Sequence, residues 1–290
     1  MQEYVATIGM FDGVHLGHQF VLRQVVSTAR ERGMLSLAVT FDRRQSLLMP
    51  TDEKVRQLTA AGITRVEVLP FTDALRQMTA RDFMQQVLRD QFNVKVLLTG
   101  YDNRFGHNRE EGYDDYVRYG RELGIEVLRL PAEGHVCSSL IRQQLQQGQV
   151  AEAAALLGYP YTIQGIVAHG EHVGTTMGFP TANLTPDCKQ QLIPAPGVYA
   201  VMVRVDDDPV ARHAMMNIGV RPTFGTHQTT LEAHLFHFHE DLYGHRLSVS
   251  FIARLRDERR FDDIEALKRQ LHDDKQEAEE ILNRNKPETI

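Results

Sequence analysis

Two histidines near the start of the chain stand where a strand would pass into a helix. His15 and His18 close the stretch Val5-Ala-Thr-Ile-Gly-Met-Phe-Asp-Gly-Val-His-Leu-Gly-His18. Their imidazole N–H groups can hydrogen-bond a phosphate whose charge grows in a transition state. Gly9 and Gly13 let the backbone turn sharply and approach a ligand, because glycine has no Cβ. The stretch therefore predicts a phosphate-binding loop, with ordinary capping or surface histidines as the alternative.

The elements around this loop would deliver it to a ligand. Tyr4 to Ile8 is a short β-prone run, typical of a strand buried in a parallel sheet. After Gly17, apolar residues recur at helical spacing up to Gly33, so the loop leads into a helix whose N-terminal N–H groups attract phosphate. Further strands are predicted at 35–40, 66–69, 94–99 and 126–130, and helices at 52–61, 81–91 and 112–123, with Thr79 as a cap. Such alternation predicts a doubly wound parallel sheet with ligands at the carboxyl ends of its strands.

Two later loops fall at the same predicted edge. Gly100 to Arg109 mixes glycine, aromatic and charged residues, as ligand-binding loops do. In the run Cys137-Ser-Ser-Leu-Ile-Arg142, Ser138 or Ser139 is expected to cap a helix that carries Arg142 in its first turn. A hydroxylated helix start beside a guanidinium predicts a second phosphate site, and a capped surface helix is the alternative.

The pattern changes near residue 158. The alanine-rich run Val150 to Leu157 predicts a helix ended by Gly158, which sets the expected domains at 1–158 and 159–290. Strands are predicted at 161–169, 197–205, 213–218, 230–237 and 247–256, and a closing helix over 262–282. Five or six antiparallel strands without crossover helices predict a small barrel or sandwich. The expected fold class is thus an α/β domain followed by a β domain with a terminal helix.

A glycine-rich connection in the second domain could surround a nucleotide. It runs from Gly170 to Asn183, and its backbone N–H groups can face phosphate. Thr181 and Asn183 offer neutral oxygens, which suit Mg²⁺ when substrate phosphates supply the negative charge. On the strand 230–237, Glu232 is a candidate general base for a hydroxyl proton, or else an ordinary solvent-facing residue. Three histidines without a nearby thiolate or carboxylate cluster are expected at the surface: His234, His237 and His239.

Composition disfavours several classes of protein. The 290 residues, 42% hydrophobic and 24% charged, describe an ordinary globular chain of about two domains. A net charge of −6 argues against a general binder of nucleic acid or anionic membranes. Two distant cysteines indicate a reducing compartment, and no apolar run reaches the roughly 18 residues of a membrane helix. With no basic leader at the N-terminus, we expect a cytoplasmic protein without membrane or nucleic-acid partners.

Six segments, taken in order, resemble the bacterial bifunctional riboflavin kinase/FMN adenylyltransferase family. They are Gly9 to His18, Gly100 to Gly106, Ser138 to Arg142, Gly178 to Asn183, Asn217 to Phe224 and Asp241 to Gly244. The match covers essentially the whole chain, and six ordered segments are far more specific than any one of them. The resemblance implies a nucleotidylyltransferase-like α/β domain followed by an antiparallel β-barrel flavokinase domain.

The same resemblance implies two ATP- and Mg²⁺-dependent reactions, riboflavin to FMN and FMN to FAD with release of pyrophosphate. It gives catalytic roles to His15, His18, Arg142 and Glu232, the last as base for the riboflavin 5′-hydroxyl, and metal-binding roles to Thr181 and Asn183. Nucleotide contacts would come from Gly9, Phe11, Asp12, Gly13, Ser138, Ser139, Gly170, Gly178 and Pro180. Flavin contacts would come from Asp102, Arg104 and Phe105. Riboflavin, FMN, FAD and ATP are then the expected ligands.

Four positions depart from the family pattern. Arg43 and Arg44 stand where the family usually has Pro-His after Thr-Phe-Asp, and Met10 replaces a common asparagine. Thr175 stands where a Gly-Arg pair normally supplies positive charge. These departures leave two alternatives open: an enzyme that retains only one activity, or a sensor that binds flavin or nucleotide without turnover.

Overall fold

A computed structural model describes residues 2–42, 46–101, 103–131, 136–168, 178–223 and 226–284. The chain divides into two compact units, Met1–Ser138 and Ser139–Ile290. The division falls earlier than the boundary expected at residue 158, because the two helices before that point pack on the second unit. There, the N–H of Ala195 donates to the carbonyl of Leu145 at 2.9 Å, and Gly148 lies directly against the side chain of Arg254. Sequence periodicity reports an element's own faces, not the element on which it packs.

The first unit is built on a parallel sheet. Among the residues described, its strands are β1 (Tyr4–Ile8), β2 (Leu35–Asp42), β3 (Arg65–Pro70), β4 (Val94–Thr99) and β5 (Glu126–Arg129). They lie in the order β3-β2-β1-β4-β5, and every pair is parallel. The direction of winding reverses between β1 and β4, so the loops after these two strands meet at the carboxyl edge. The predicted doubly wound parallel sheet is confirmed.

Helices flank this sheet and bury β1 along its whole length. In the described part of the unit they are α1 (Leu16–Glu31), α2 (Thr51–Ala60), α3 (Asp73–Gln77), α4 (Ala80–Asp82) with its π-helical continuation (Phe83–Gln91), a 3₁₀ turn (His107–Arg109) and α5 (Tyr113–Leu123). Thr79 caps α4 as predicted, since its hydroxyl oxygen accepts the N–H of Asp82 at 3.1 Å. The five-residue α3 was not predicted, because one turn and a half is too short to show a period.

The second unit begins with two helices and continues as a barrel. Its elements within the described ranges are α6 (Ser138–Gln146), α7 (Val150–Leu157), β6 (Thr162–Ala168), β7 (Ala182–Pro186), β8 (Gly197–Val205), β9 (Arg212–Thr223), β10 (Thr226–Leu235), β11 (Arg246–Arg256) and α8 (Ile264–Arg284). The strands close in the order β10-β7-β6-β11-β8-β9, all antiparallel, so the barrel is confirmed and the sandwich was wrong. The sequence did not predict β7, whose five residues carry asparagine and proline and so have little β propensity.

Alternation along β8 shows how the barrel is packed. Tyr199, Val201 and Val203 are fully buried on one face and fill the barrel interior. The opposite face of β8 carries Ala200 and Met202, which belong to a hydrophobic cluster between the barrel and α8. The other members of that cluster are Phe179, Met215, Ile252, Leu255, Phe236, Leu271, Ala278, Ile281 and Leu282. The barrel wall is therefore covered on both sides where α8 crosses it. In the described residues, no helix combines the length and apolar character needed to cross a bilayer.

Candidate functional site

The loop between β1 and α1 follows a tight backbone path. Phe11, Gly13 and Val14 have φ values of 47°, 80° and 30°. Non-glycine residues rarely adopt such angles, and a β-branched residue such as Val14 is a clear outlier. The N–H of Val14 donates back to the carbonyl of Phe11 at 3.1 Å, and the Phe11 ring covers Gly9, where a Cβ would meet it at 3.0 Å. Backbone strain of this kind concentrates at functional sites.

This path brings the two histidines into contact. His15 is the N-cap of α1, and its Nδ1 accepts the N–H of His18 at 3.3 Å. The two rings stack with 3.6 Å between centroids, and Phe11 meets His18 edge-on at 5.2 Å. His15 therefore caps a helix, which was the alternative to a phosphate-binding role in the sequence analysis. It also supports the ring of His18. The predicted loop-to-helix passage is present.

The environment keeps His18 neutral. Burial is the main cause that holds the pKa of His18 well below 6.5, and the charges of His15 and Lys54 act in the same direction. Part of the residue is exposed, but its Nδ1 is shielded from solvent and lacks a hydrogen-bond partner among the described residues. A shielded polar atom of this kind is one that a ligand can satisfy.

A buried lysine from α2 holds the same loop. Lys54 is only 5% exposed, and its Nζ donates to the carbonyls of Met10 (3.3 Å) and Phe41 (2.9 Å). The hydroxyl of Thr40 also donates to the Met10 carbonyl, at 3.1 Å. Burial lowers the pKa of Lys54, although nearby carboxylates oppose that shift. Met10 takes part through its backbone, so replacing the family's asparagine leaves these bonds intact. Sequence reasoning missed Lys54, because a lysine inside a helix carries no sign of burial.

Asp12 and Ser138 tie the loop to two other segments of the first unit. The buried Asp12 accepts the N–H of Leu48 on its Oδ1 at 2.9 Å. The Ser138 hydroxyl donates to the carbonyl of Asp12, also at 2.9 Å. The helix α6 begins at Ser138 itself, so the serines expected as caps lie inside its first turn instead. Ser139 is exposed and Arg142 half-buried, on the part of α6 that belongs to the second unit.

The loop after β4 is anchored in the first unit's core. The Asn103 amide donates to the carbonyl of Ile8, the last residue of β1. The Tyr116 hydroxyl accepts the N–H of Phe105 at 3.0 Å and lies 3.1 Å from the carbonyl of the same residue. The Phe105 and Tyr116 rings stack at 4.2 Å, and Phe105 is 9% exposed. Phe105 therefore packs in the core beneath the loop.

The three residues expected to bind flavin are thus placed differently. The side chain of Arg104 is exposed, whereas Phe105 supports the loop from inside. Asp102 lies outside the described residues, as do Arg43 and Arg44.

In the second unit, three polar residues stand side by side on adjacent strands. Glu232 of β10 pairs with Asn183 of β7 on one side and with Asn217 of β9 on the other. Directly opposed residues in an antiparallel sheet point to the same face, so the carboxylate lies between two amides. All three are half-buried. Asn217 stood first in one of the quoted segments, but only the strand register shows that it flanks Glu232.

A cavity of about 390 Å³ lies between this face of the barrel and the C-terminal segment. Its lining includes Thr181, Met215, Asn217, Glu232 and His234 from the barrel side, and Arg256, Glu258, Phe261 and Leu271 from the other. Mainly apolar walls with a few converging polar groups are typical of a small-molecule site. A smaller cavity, about 150 Å³, is lined by Val167, Ala182, Leu235 and the segment Glu240 to Tyr243. Thr181 lines both cavities.

The residues before Thr181 are fixed from the barrel side. Gly178 has φ +83°, Phe179 is buried, and the carbonyl of Pro180 accepts a hydrogen bond from Nδ1 of His234 at 2.8 Å. Gly170 and Thr175 lie outside the described residues. In the ranges that are described, no group of three His, Cys, Asp or Glu side chains could hold a metal ion.

The surface prediction was wrong for one histidine. His234 is only 8% exposed, because its face of β10 is covered by the segment that forms the large cavity. The alternation of residues along the strand showed which face His234 shares with Glu232, but it could not show that another segment packs on that face. His237 and His239 are exposed, as predicted.

Comparisons with known proteins agree for both units. The family described as FAD synthetase matches residues 1–139, and the family described as riboflavin kinase matches residues 157–282. A protein of Escherichia coli K12 named bifunctional riboflavin kinase/FMN adenylyltransferase is 35% identical, over 98% of this chain and 94% of its own. One of the same name from Bacillus subtilis is 33% identical, over 94% and 91%.

One solved structure resembles the chain along its whole length. It is a crystal structure described as a macrolide-efflux protein from Streptococcus pneumoniae, with 29% identity and a TM-score of 0.88. The likeness covers 99% of this chain and 95% of the other. Both units of the fold are therefore shared with an experimentally determined structure.

Proposed function

We propose how this chain, which belongs to the bifunctional riboflavin kinase/FMN adenylyltransferase family, divides two reactions among its residues. One reaction phosphorylates riboflavin to FMN with ATP, and the other adenylylates FMN to FAD with release of pyrophosphate. The region matched by the riboflavin kinase family contains the barrel, and the region matched by the FAD synthetase family contains the parallel sheet. We accordingly assign adenylylation to a domain of residues 1–158 and phosphorylation to a domain of residues 159–290. The helices α6 and α7 lie at the end of the first of these ranges and pack on the barrel unit.

The alignment of Asn183, Glu232 and Asn217 carries the kinase assignment. A carboxylate held between two amides is oriented, and in phosphoryl transfer such a group accepts the proton of the attacking hydroxyl. We assign Glu232 as the base for the 5′-hydroxyl of riboflavin. The large cavity, whose apolar walls include Phe261 and Leu271, then holds the flavin.

ATP belongs on the other side of Thr181. The smaller cavity supplies room beside Pro180, and Gly178 gives the backbone a conformation in which N–H groups can face phosphate. Because Thr181 lines both cavities, it stands where a phosphoryl group would pass from one to the other. We assign Gly170 to the nucleotide as well, on the sequence resemblance.

Thr181 and Asn183 are the residues we assign to Mg²⁺. They offer neutral oxygens on one short segment, and the described residues form no cluster of three carboxylates around them. Such a donor set fits Mg²⁺, which keeps several waters and binds substrate phosphates rather than a complete protein cage. When bound, the ion would neutralise charge on the transferred phosphoryl group. The protein residues hold the nucleotide in place and take up the proton.

For adenylylation, we propose that His15 and His18 stabilise charge on the attacked α-phosphate. Both lie at the N-terminus of α1, where backbone N–H groups also attract phosphate. Neutral His18 keeps one ring N–H, which it can donate to a phosphate oxygen. The FMN phosphate attacks directly, and pyrophosphate leaves without a covalent enzyme intermediate.

The remaining roles in adenylylation follow from the loop itself. Gly9, Phe11, Asp12 and Gly13 shape the nucleotide loop, and Ser138 braces it through Asp12. Ser139 and Arg142 stay predictions for the phosphates, and Arg104 for the flavin, with Phe105 as its support from the core. We also propose a cytoplasmic location, since two distant cysteines indicate a reducing compartment.

A product assay with two variants tests the division of labour. Wild type given riboflavin, ATP and Mg²⁺ should form FMN and then FAD, whereas Glu232→Gln should form neither. Given FMN, Glu232→Gln should still make FAD, and His18→Ala should not, although it should still make FMN from riboflavin. A chain with one activity would yield one product, and a sensor would bind ligands without turnover. Either outcome in wild type, or a fully active Glu232→Gln, would contradict the proposal.

A further inference from the structure

His234 links the strand of the proposed base to the segment of the proposed metal ligands. Its Nδ1 lies 2.8 Å from the carbonyl oxygen of Pro180, the residue before Thr181. We propose that His234 is a positioning residue for phosphoryl transfer, which fixes Thr181 relative to Glu232 through this bond. The inference rests on the kinase site proposed above and adds a residue that the sequence had placed at the surface.

The strand register explains why a side chain is needed at this point. Between β10 and β7, Glu232 pairs with Asn183 and Ala233 with Ala182. One step further would place His234 opposite Thr181, but β7 begins only at Ala182. The backbone ladder therefore ends just before Thr181, and the side chain of His234 supplies the next hydrogen bond across the two segments.

The bond acts on the peptide that leads into Thr181. The carbonyl of Pro180 and the N–H of Thr181 belong to one planar peptide unit. Fixing the Pro180 oxygen therefore fixes the plane in which Thr181 begins. A shift of about 1 Å at a reacting group can reduce a rate about 100-fold, so this restraint is large enough to matter.

The surroundings of His234 leave its ring little freedom. Its centroid lies 5.2 Å from that of Phe179 and 5.7 Å from that of Phe236, and both neighbours are buried. A carbonyl oxygen can only accept, so Nδ1 carries the hydrogen. Burial is the main cause that lowers the pKa of His234, with Lys275 acting in the same direction and the Pro180 bond against it. The neutral Nδ1–H form matches the contact.

A packing role alone is the competing explanation, and the chain contains a matched control for it. His272 of α8 also lies against Phe179, edge-on at 5.0 Å. Its Nδ1 faces the carbonyl of Lys268 on its own helix at 2.8 Å, so it does not join two segments. His272→Leu removes an imidazole from Phe179 without touching the bond to Pro180.

Two polar variants of His234 separate the hydrogen bond from the packing. In His234→Asn the amide nitrogen can occupy nearly the place of Nδ1, whereas in His234→Gln it lies further out. We expect His234→Gln to lower kcat for riboflavin phosphorylation about 10- to 100-fold. KM for riboflavin should stay within about 2-fold, because ground-state contacts are kept. His234→Asn should recover most of the rate, and His272→Leu should behave as wild type.

Hydrogen exchange gives a readout independent of turnover. Without ATP or Mg²⁺, the amides of Thr181 and Ala182 should exchange faster in His234→Gln than in wild type, His234→Asn or His272→Leu. Equal exchange and equal kcat in all four chains would overturn the inference, as would an equal loss in His272→Leu and His234→Gln. Conversion of supplied FMN to FAD should be unchanged throughout, which confirms equal amounts of folded first domain.

Glu232→Gln separates this inference from the function on which it rests. If Glu232→Gln phosphorylates riboflavin normally, the proposed kinase site is wrong. If Glu232→Gln is inactive while His234→Gln keeps wild-type kcat and exchange, the kinase site stands and only the role of His234 fails.

Discussion

The ring of His18 lies on the ring of His15, with 3.6 Å between centroids and 19° between planes. The same pair is joined by the bond from the His18 N–H to the His15 Nδ1. One histidine therefore caps the helix and supports the other, which is held neutral at the loop's end. The consequences of that neutrality can be measured.

The first prediction concerns pH and stability. Because burial holds the pKa of folded His18 below 6.5, the unfolded chain takes up a proton first as pH falls. Its contribution to the free energy of unfolding is complete above pH 6.5 and declines below that value, by up to about 1.4 kcal/mol per pH unit until the folded pKa is reached. Urea unfolding at several pH values measures how the free energy of unfolding changes with pH. Hydrogen exchange of the α1 amides shows which part of that change belongs to the first unit.

His18→Asn should reduce the acid slope for α1, because the substituted chain has no imidazole to protonate there. His239→Asn is the matched control, since that histidine is exposed in the other unit. An unchanged slope in His18→Asn would show that His18 titrates normally in the folded protein.

The second prediction concerns Lys54. Lys54→Met keeps the length of the side chain but removes the donor to the carbonyls of Met10 and Phe41. A hydrogen bond from a charged donor contributes about 1.5–3 kcal/mol, so the first unit should be less stable by about that amount. The loop is then held less firmly, and conversion of FMN to FAD should slow about 10-fold or more. Riboflavin phosphorylation by the same chain should be unaffected.

Lys95→Met is the control for a lost lysine in the same unit. Lys95 is only partly buried and lies 3.9 Å from Glu3, an arrangement at the surface that contributes about 0–1 kcal/mol. Equal FAD formation by both variants and wild type would show that Lys54 does not support the loop.

The fold was largely predictable because its strands form short apolar or alternating runs and its helices show a regular apolar period. The strands Tyr4–Ile8, Val94–Thr99 and Gly197–Val205 have the bounds that their apolar runs predicted. The sequence missed β7, where the register with neighbouring strands, not local propensity, makes the strand. Local patterns also could not show that α6 and α7 pack on the second unit, since these helices are held by contacts far along the chain.

The arrangement of the candidate site was predictable where it follows from residue type and spacing, as at the passage from strand to helix that carries His15 and His18. It was not predictable where it depends on what faces a residue. Lys54 is buried by the loop above it, and His234 by the segment after the barrel. Asn217 flanks Glu232 only through strand pairing. Burial by a distant segment and pairing with a distant strand cannot be recognised from the residues that neighbour a position in the sequence.

The third prediction concerns an exposed ion pair beside the smaller cavity. His245 Nδ1 lies 2.6 Å from Asp206 Oδ2, and the other oxygen of Asp206 accepts the N–H of Arg246. The bond to Asp206 raises the pKa of His245 above 6.5, so the pair's contribution is complete below pH 6.5 and is lost as pH rises through the raised value. The His245 bond likewise lowers the pKa of Asp206 below 3.8, and the contribution is lost again as pH falls through that lowered value.

The turn from Tyr243 to Arg246 should therefore loosen as the pH rises above 6.5 and through the raised pKa of His245. Hydrogen exchange in this turn, corrected for the intrinsic effect of pH, should quicken over that rise in wild type. His245→Asn should exchange at the faster rate throughout, and His239→Asn should follow wild type. A wild-type turn with pH-independent protection would rule out control by this pair.

The fourth prediction concerns the buried pair that holds α8 beside the large cavity. Arg256 donates from Nη2 to Asp274 at 2.7 Å and from Nε at 2.9 Å, and Asp274 is 1% exposed. Asp274→Ala leaves a guanidinium without its partner, which should destabilise the second unit by about 3 kcal/mol. Glu265→Ala, in an exposed pair on the same helix, should change stability by less than about 0.5 kcal/mol.

The double variant Arg256→Met with Asp274→Leu tests whether the pair also serves flavin binding. Apolar residues of similar volume often replace a buried ion pair without loss of stability, so the melting temperature should return close to wild type. Arg256 lines the large cavity, and its loss should therefore raise KM for riboflavin even in this restored chain. KM for FMN in adenylylation should stay unchanged. A double variant with normal stability and a normal KM for riboflavin would show that the pair anchors α8 and takes no part in binding the flavin.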